Sequence, residues 1–310
     1  MPPKHLVSSS DIDKVGYEEI VRRGLKFISK GIPPDLCKGK IVATLFFQPS
    51  TRTMSSFQSA MCRAGGDWIG VMGEKGLSME KGETLEDTIA EYGNFADCIA
   101  LRHGDDDSAD RAASVSRVPV MNCGSGSREH AVGTPMLLTM LAHFIKKPLK
   151  DLRIGLYGTP EINRATKAFV PILGMFETSL VIDDLGHFPL PKEVEDAAKK
   201  NGMRSLTYDK LDNFIGDVDA LFVTRGLQKG IIPPDKFPKE KEEMIIKSFK
   251  PISKEHMKKM RKDAILYMIK PRIFEILPEV DDDPRATYSK PEPYVESVLA
   301  LMTYLLGIKV

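Results

Sequence analysis

The chain alternates short apolar runs with stretches of helical periodicity, and this alternation occurs twice. In the first half the apolar runs are KIVATLFF, DWIGVMG, DCIALRH and VPVMNC. Short continuous apolar runs between helices are typical of parallel strands that are covered on both faces. The pattern therefore predicts a parallel sheet in this half of the chain.

The intervening helices are marked by apolar residues three and four positions apart. Asp11 is predicted to cap the first helix, and Gly31 to end it. Its apolar stripe is expected to consist of Tyr17, Ile20, Val21, Leu25 and Ile28. Further helices are predicted from Met54 to Ala64, over ETLEDTIAEYGNF, and from about Thr134 to Ile145.

The alternation restarts after KKPLKD. The runs LRIGLYG, TSLVIDD, DALFVTR and AILYMI predict four more buried strands, and an apolar helix is predicted from Tyr294 to Leu306. We therefore expect an α/β protein with two doubly wound parallel-sheet domains, whose C-terminal helix crosses back to brace the first domain. The expected bounds are residues 1–133, 134–290 and, for the C-terminal helix, 291–310.

Composition and charge narrow the class of protein. The 310 residues are 42% hydrophobic and 28% charged, which is ordinary for a globular protein, and the net charge of +1 indicates neither a nucleic acid nor an anionic membrane as partner. No stretch reaches the length of a membrane span, and MPPKHLVSSSDIDK lacks the apolar core of a signal peptide.

The four cysteines do not have the spacing of a metal site; they are Cys37, Cys62, Cys98 and Cys123. With Cys62 on an apolar helix face and Cys98 in a strand, we expect buried, reduced thiols in a cytoplasmic protein.

Candidate chemistry lies directly after the predicted strands, where open parallel sheets bind ligands. Ser50, Thr51, Arg52 and Thr53 follow the first strand and open a helix. Free N–H groups, hydroxyls and a guanidinium at a helix N-terminus are suited to phosphate. A plain helix cap with a surface arginine is the alternative interpretation.

Other strand ends in the first half carry further polar groups. DCIALRH brings Arg102 and His103 to a strand end, and the turn NCGSGSREH brings His130, which could donate to a carbonyl oxygen as a neutral imidazole. Ser78 and Lys81 lie in a Gly-flanked loop that could act as a lid.

The second half carries two arginines at strand ends. Arg164 lies near a helix start after LRIGLYG, and Arg225 follows DALFVT, with Gln228 close behind. Two guanidinium groups in one domain suit a substrate with two carboxylates. Pro271 directly follows another strand and is expected to bend the chain.

Together these motifs resemble those of the aspartate/ornithine carbamoyltransferase family, in order and over essentially the whole chain. FFQPSTRT looks like the family's carbamoyl-phosphate motif F-x-x-S-T-R-T, and EKGETLEDT, LRH, GSGSREH, VTR and DDDPRATY follow. The ornithine branch normally has Ser-Met-Gly in its second domain. That signature is missing here, so the aspartate branch fits better.

The resemblance implies a role for each matching residue. Ser50, Thr51, Arg52 and Thr53 would hold the phosphate of carbamoyl phosphate, while Thr53, Arg102 and His130 would polarise its carbonyl oxygen. Ser78 and Lys81 match a loop that reaches into a neighbouring subunit's site, where they would contact phosphate and Lys81 also the acceptor. Arg164, Arg225 and Gln228 would bind aspartate. The implied assembly is a homotrimer or a multiple of it, without metal or organic cofactor. Binding of a regulatory subunit stays open.

The sequence also departs from the family pattern. The family reads H-P-x-Q, whereas this chain has His130-Ala131-Val132-Gly133, so the glutamine that accepts from the carbamoyl amino group is replaced by glycine. The family's aspartate branch has H-P-L-P-R where this chain has Met268-Ile269-Lys270-Pro271-Arg272. Where this chain has GTPEINR, the family has Asp after the glycine and Gly before the arginine. The stretch TRGLQK has one residue more than the family between Arg225 and Gln228.

Three functional hypotheses follow from this combination. The leading one is carbamoyl transfer from carbamoyl phosphate to aspartate, in pyrimidine biosynthesis. The second keeps the chemistry but changes a substrate, to another acyl phosphate or another dicarboxylate amine. The third is a paralogue that binds its ligands but has little catalytic activity. Retention of Arg52, Arg102, His130 and Lys81 favours an enzyme over the third hypothesis.

Overall fold

The chain divides into two compact units, each built around one parallel sheet. A computed structural model describes residues 4–73, 78–227 and 238–310. Unit 1 comprises Met1–Thr139 and Pro293–Val310, and unit 2 comprises Met140–Glu292. Both units combine a parallel sheet with helices, which confirms the predicted α/β class.

Unit 1 has a four-stranded sheet in the order β2-β1-β3-β4, with every neighbouring pair parallel. Its strands are β1 (Ile41–Phe46), β2 (Asp67–Met72), β3 (Cys98–His103) and β4 (Val120–Ser125). Its helices are α1 (Lys14–Lys30), α2 (Thr51–Arg63), α3 (Leu85–Phe95), α4 (Ser108–Val115), most of α5 (Gly133–Phe144) and, after unit 2 in the chain, α11 (Tyr294–Leu305).

The core of unit 1 explains why its apolar runs predicted strands. Strands β1, β3 and β4 are buried over most of their length. This is expected for the central strands β1 and β3, and the edge strand β4 is covered by the N-terminal segment, which pairs with it through Leu6. On one face their side chains pack against α3 and α4 through Leu85, Ile89 and Ala112. Helix α11 packs against α1 and α2, so the predicted return of the C-terminal helix to the first unit is confirmed.

Several local predictions in unit 1 were wrong. Asp13, not Asp11, caps α1, because the Asp11 carboxylate instead accepts the N–H groups of Val7 and Ser8 within the preceding 3₁₀ turn. The buried stripe of α1 continues through Phe27, whereas Leu25 and Ile28 are only half-buried.

Helix α2 differs from its prediction in two respects. It begins at Thr51, three residues before the predicted Met54, because the polar motif itself forms the first turn. Cys62 is exposed, in contrast to the buried thiols of Cys37, Cys98 and Cys123. The buried face of α2 runs through Phe57, Ala60 and Met61, and the next residue along points away from it.

Unit 2 has a five-stranded parallel sheet in the order β7-β6-β5-β8-β9. Its strands are β5 (Arg153–Tyr157), β6 (Ser179–Asp183), β7 (Ser205–Tyr208), β8 (Ala220–Val223) and β9 (Ile265–Met268). Its helices are α6 (Arg164–Met175), α7 (Lys192–Lys200), α8 (Leu211–Phe214), α9 (Lys239–Ser248) and α10 (Lys254–Lys259). The prediction of four strands missed β7, since this edge strand is mostly exposed and has no apolar run.

Over the described ranges, no helix combines the length and the apolar character needed to cross a membrane.

Candidate active site

In unit 1 the predicted site residues follow strands that are neighbours in the sheet. Phe46, the last residue of β1, pairs with Arg102 near the end of β3, and the Phe47 N–H donates to the Arg102 carbonyl at 2.8 Å. The segment leading to α2 therefore leaves the sheet directly beside Arg102. This register brings the STRT motif and Arg102 to the same carboxyl edge.

The STRT motif forms the N-terminus of α2. Ser50 is the N-cap residue, with extended backbone angles, and among the described residues its side chain makes no capping hydrogen bond. Thr51 and Arg52 are exposed, whereas Thr53 is 8% exposed. A helix start whose N–H groups are not capped by its own side chain is suited to an anion, because the helix dipole and the hydroxyl donors act in the same direction.

Arg102 and His103 lie together at the end of β3 but have different surroundings. Arg102 is half-buried and aligned with β1. The His103 ring packs edge-on against Phe47, with centroids 5.2 Å apart, and its Nδ1 accepts the Asp105 N–H at 3.1 Å. His103 therefore has a structural role in the strand-end loop, and Arg102 is the candidate ligand.

The turn after β4 brings His130 to the same edge of the sheet. Gly126 in this turn donates its N–H to the His103 carbonyl at 3.1 Å, which joins the turn to the end of β3. Gly126 has φ of 47°, and a Cβ at this position would collide with the Asp106 carboxylate. Glycine is therefore required where the turn crosses the neighbouring loop.

His130 itself is half-buried and lies three residues before the start of α5. The Val132 N–H donates to the Asn122 carbonyl at 3.1 Å, and the Gly133 N–H donates to the His130 carbonyl at 2.9 Å. These bonds hold the backbone on the C-terminal side of the histidine. The structure thus brings the STRT motif, Arg102 and His130 to one edge of one sheet.

Ser78 and Lys81 form the ends of a 3₁₀ helix, Ser78–Lys81, and both are exposed. The Glu83 N–H donates to the Ser78 carbonyl at 3.3 Å, and Glu83 in turn accepts the Thr88 hydroxyl of α3 at 2.8 Å. The segment is therefore anchored to α3, while Lys81 is exposed.

In unit 2, Arg164 is the first residue of α6 and is 6% exposed. The preceding Asn163 caps the helix, since its side chain accepts the N–H groups of Ala165 at 3.0 Å and Thr166 at 3.3 Å. The Thr166 hydroxyl closes the same turn by donating to the Asn163 carbonyl at 2.7 Å. Arg164 therefore lies at a capped helix N-terminus, as predicted from the sequence.

Arg225 follows β8 and is 8% exposed, with its Nε donating to the Leu227 carbonyl at 2.6 Å. Two hydrogen bonds join its loop to the loop after β5: the Thr159 N–H donates to Thr224 Oγ1 at 2.7 Å, and the Thr159 hydroxyl donates to the Arg225 carbonyl at 3.0 Å. Because the β5 loop leads into α6, the same bonds relate the Arg225 segment to the turn that carries Arg164. Gln228 lies outside the described residues.

Glu275 also supports the Arg225 loop, although the sequence offered no signal for it. Its side chain is fully buried. One carboxylate oxygen accepts the Gly226 N–H at 2.8 Å, and the other accepts the N–H groups of Ile273 at 2.7 Å and Phe274 at 3.0 Å. A buried carboxylate is stable only with such partners. Glu275 therefore couples the segment after β9 to the residue that follows Arg225.

The variant stretch after β9 contains a cis peptide bond between Lys270 and Pro271. Lys270 pairs with the buried carboxylate of Glu292 at 3.3 Å. Arg272 makes a bidentate pair with Asp281, which also accepts the Tyr288 hydroxyl at 2.8 Å. This pairing with Arg272 holds the pKa of the Asp281 carboxyl below its usual value. Lys270 and Arg272 are therefore both paired with carboxylates of unit 2.

Comparison with known proteins relates this arrangement to one family. Residues 4–139 match the family model described as aspartate/ornithine carbamoyltransferase, carbamoyl-P binding domain. The aspartate carbamoyltransferase catalytic subunit of Finegoldia magna is 32% identical over 312 residues, covering 99% of each chain. Among solved structures, the catalytic subunit of M. jannaschii aspartate transcarbamoylase superposes with a TM-score of 0.85 at 32% identity, covering 98% of each chain. The Trypanosoma cruzi aspartate transcarbamoylase in complex with carbamoyl phosphate has the same fold, with a TM-score of 0.86 at 24% identity, covering 100% of this chain and 97% of that one.

Proposed function

Because the chain belongs to the aspartate/ornithine carbamoyltransferase family, we propose that it transfers the carbamoyl group of carbamoyl phosphate to the amine of aspartate, a step of pyrimidine biosynthesis. The observation that carries this proposal is the edge of the unit 1 sheet, where the segment that leads from β1 into α2 leaves the sheet beside Arg102. Among the described residues, the Ser50 side chain makes no capping hydrogen bond at the start of this helix. That edge combines the donors that a phosphate and a developing oxyanion require.

In this proposal unit 1 binds carbamoyl phosphate. The backbone N–H groups at the start of α2, the hydroxyls of Ser50, Thr51 and Thr53, and the Arg52 guanidinium hold the phosphate. Thr53, Arg102 and His130 donate toward the carbonyl oxygen. Their positions at one sheet edge support this division of roles, since groups fixed by strands and helix ends need little reorganisation during reaction.

Unit 2 binds aspartate through its two buried arginines. Arg164 and Arg225 each offer a planar fork of donors that matches a carboxylate. The hydrogen bonds between the β5 and β8 loops and the support from Glu275 favour a fixed separation between these forks. A fixed separation selects for substrates with two carboxylates at a matching distance.

The chemistry requires little beyond orientation and charge stabilisation. The aspartate amine, as the free base, attacks the carbonyl carbon, and a C–N bond forms. The carbonyl oxygen then carries negative charge in the tetrahedral intermediate, which Thr53, Arg102 and His130 stabilise. Collapse breaks the bond between carbon and the bridging phosphate oxygen, phosphate leaves, and the nitrogen loses a proton. Preorganised donors of this kind lower barriers by several kcal/mol.

A homotrimer with shared sites is part of the same proposal. The edge strand β2 exposes Trp68 (44%) and Met72 (57%), and exposed apolar side chains on an edge strand favour contact with another chain. Lys81 lies after this strand and is exposed, which suits a role in a neighbouring subunit's site. The cytoplasmic location stays a prediction.

The decisive experiment pairs a binding measurement with a product assay. Calorimetric titration with a bisubstrate phosphonate–aspartate analogue is expected to show tight binding, and the protein should form carbamoyl aspartate from carbamoyl phosphate and aspartate. Acetyl and succinyl phosphates are tested in the same assay, because Gly133 suggests the alternative hypothesis that the protein uses another acyl phosphate as donor. Turnover with one of these donors but not with carbamoyl phosphate would overturn the proposal. Tight analogue binding without any turnover would favour a non-catalytic paralogue.

A further inference from the structure

The turn that carries His130 is composed mainly of small residues and needs support from outside itself. It reads Gly124-Ser125-Gly126-Ser127-Arg128-Glu129. Gly124 and Gly126 have positive φ angles of 125° and 47°, conformations that glycine adopts without strain. Within the turn, the Ser125 N–H donates to the Glu129 carbonyl at 3.1 Å. A glycine-rich turn of this kind has little side-chain packing of its own with which to hold a histidine in place.

The loop after β3 supports the turn at Ser127, whose N–H donates to Asp106 Oδ1 at 2.7 Å. Next to His130, support comes from the N-terminal segment through Ser9 and Glu129. Glu129 Oε1 accepts both the Ser9 backbone N–H at 2.7 Å and the Ser9 hydroxyl at 2.6 Å. Ser9 is only 4% exposed. A carboxylate oxygen that takes two hydrogen bonds from one buried residue is fixed in direction as well as in distance.

Ser9 is in turn fixed by the core of unit 1. The Tyr17 hydroxyl of α1 donates to the Ser9 carbonyl at 2.6 Å, and Tyr17 is fully buried. Burial, and then the nearby charges of Glu129 and Asp11, raise the pKa of the Tyr17 phenol well above its usual value, so the hydroxyl remains a donor. The support thus runs from the interior of α1 through Ser9 to Glu129.

The rest of the N-terminal segment lies along β4. The Leu6 N–H donates to the Val120 carbonyl at 2.8 Å, and the Asn122 N–H donates to the Leu6 carbonyl at 2.8 Å. The Asn122 side chain also donates to the Val7 carbonyl at 2.8 Å and to the Ser125 hydroxyl at 3.0 Å. The segment is therefore attached both to the strand that precedes the turn and to the turn itself.

We propose that Glu129 is a positioning residue for His130, held by Ser9 of the N-terminal segment. Glu129 immediately precedes the histidine, and the Val132–Asn122 bond holds the backbone on the other side. Losing the Ser9 contact leaves the residue before His130 held by its backbone alone, through the bond from the Ser125 N–H to the Glu129 carbonyl. The inference rests on the proposed function, because it takes His130 as the group that donates to the carbonyl oxygen. A displacement of about 1 Å at such a group lowers turnover by up to about a hundredfold.

The test compares Glu129→Ala, Glu129→Gln and Ser9→Ala with Asp13→Ala. Asp13 caps α1 in the same part of the chain, by accepting the Gly16 N–H at 2.8 Å, and none of its described contacts is with the turn. Because loss of an N-cap destabilises a helix, Asp13→Ala controls for general loss of stability. We expect Glu129→Ala to lower kcat by about tenfold or more while the affinity for inorganic phosphate changes less than about twofold. Glu129→Gln keeps an acceptor oxygen and should retain most of the activity. Ser9→Ala should lie between the two, and Asp13→Ala should resemble the native protein in kcat.

A second readout does not depend on turnover. The protein with ring-labelled histidine gives NMR signals for its six histidines, and the His130 signal is assigned by its loss in His130→Ala. We expect Glu129→Ala to shift or broaden this signal and to leave those of His187 and His256 in unit 2 unchanged. If the native protein lacks carbamoyl transfer but the His130 signal moves, the positioning role stands and the proposed function fails. An unchanged His130 signal in Glu129→Ala would overturn the inference, whether or not kcat falls.

Discussion

Gly133 lies directly against the imidazole of His130. A Cβ built on the glycine would be 3.6 Å from Nδ1 and 3.9 Å from Cγ of the ring, which is ordinary van der Waals contact. A side chain at position 133 would therefore start beside the candidate carbonyl-polarising group without displacing it. Glycine has no side-chain acceptor to offer beside His130, and there is space for a Cβ at this position.

This relationship predicts the effect of Gly133→Gln. The amide oxygen should accept from the amino group of carbamoyl phosphate and lower its KM several-fold, since one added hydrogen bond contributes about 1 kcal/mol. Steady-state kinetics at saturating aspartate measures the change. Gly133→Ala is the matched control, because it adds the Cβ without the acceptor and should leave KM near the native value. A rise in KM with Gly133→Gln but not with Gly133→Ala would indicate a site shaped for a different donor.

Arg52→Ala should weaken donor binding and leave the fold intact. Loss of a bidentate, charge-assisted contact is expected to cost about 1.5–3 kcal/mol, or roughly ten- to a hundredfold in the affinity for phosphate or carbamoyl phosphate. Isothermal titration measures this affinity, and circular dichroism checks the fold. Arg63→Ala, at the exposed C-terminal end of the same helix, should bind phosphate like the native protein. If both variants bind phosphate with the same affinity, Arg52 does not bind the donor.

Mixing inactive Lys81→Ala with inactive Arg52→Ala protein should restore part of the activity. If Lys81 acts in a neighbouring subunit, a hybrid trimer contains some sites in which both residues are native. Activity is assayed after the mixture has been dissociated and reassociated, and light scattering gives the assembly state. Each variant treated alone is the control and should stay inactive. A fully active monomer would contradict both the trimer and the shared site.

Glu275→Gln should impair aspartate binding more than donor binding. The amide nitrogen cannot accept from the N–H groups of Gly226, Ile273 or Phe274, so at least one buried donor loses its partner at a cost of about 1–3 kcal/mol. Because Gly226 follows Arg225, we expect the KM for aspartate to rise by about tenfold, with a smaller change for carbamoyl phosphate. Glu279→Gln is the control, since this exposed side chain accepts only the Lys254 N–H among the described residues. Equal changes in both KM values would argue against a link through Arg225.

The pair formed by Glu86 and Arg111 predicts a pH dependence of stability. Hydrogen bonding to the Arg111 guanidinium, at 2.6 and 3.0 Å, lowers the pKa of Glu86 from 4.5 to about 2. The lowered pKa means that the stabilisation is fully present above about pH 4.5 and is lost as the pH falls toward 2. Both side chains are about one-third exposed, so the contribution is at most about 1 kcal/mol. Urea unfolding at pH 7 and pH 3 should show Glu86→Gln less stable than the native protein at pH 7 and a smaller difference at pH 3.

Local patterns were sufficient for most of the fold. The buried strands β1, β3, β4, β5, β6, β8 and β9 were predictable because each is a continuous apolar run in a sheet that is covered on both faces. The edge strand β2 was predicted from DWIGVMG as well, but it is mostly exposed and not covered on both faces as expected. The pattern failed for the edge strand β7, which has no apolar run, and for the exposed Cys62, which lies one residue beyond the inward face of α2. Asp11 was predicted to cap α1, and only the hydrogen bonds of the preceding turn show that Asp13 has this role.

For the site, the sequence by itself determined which groups are available and which is missing. The order strand, STRT, helix placed Ser50 to Thr53 at a helix start, and the glycine at 133 excluded a side-chain acceptor there. Tertiary structure decided what supports these groups. The Ser9–Glu129 contact joins residues 120 positions apart, and the Gly226–Glu275 contact joins residues 49 positions apart. Such contacts leave no periodic trace in the sequence, because a hydrogen bond between distant segments depends on how the chain returns to the sheet and not on the residues beside it.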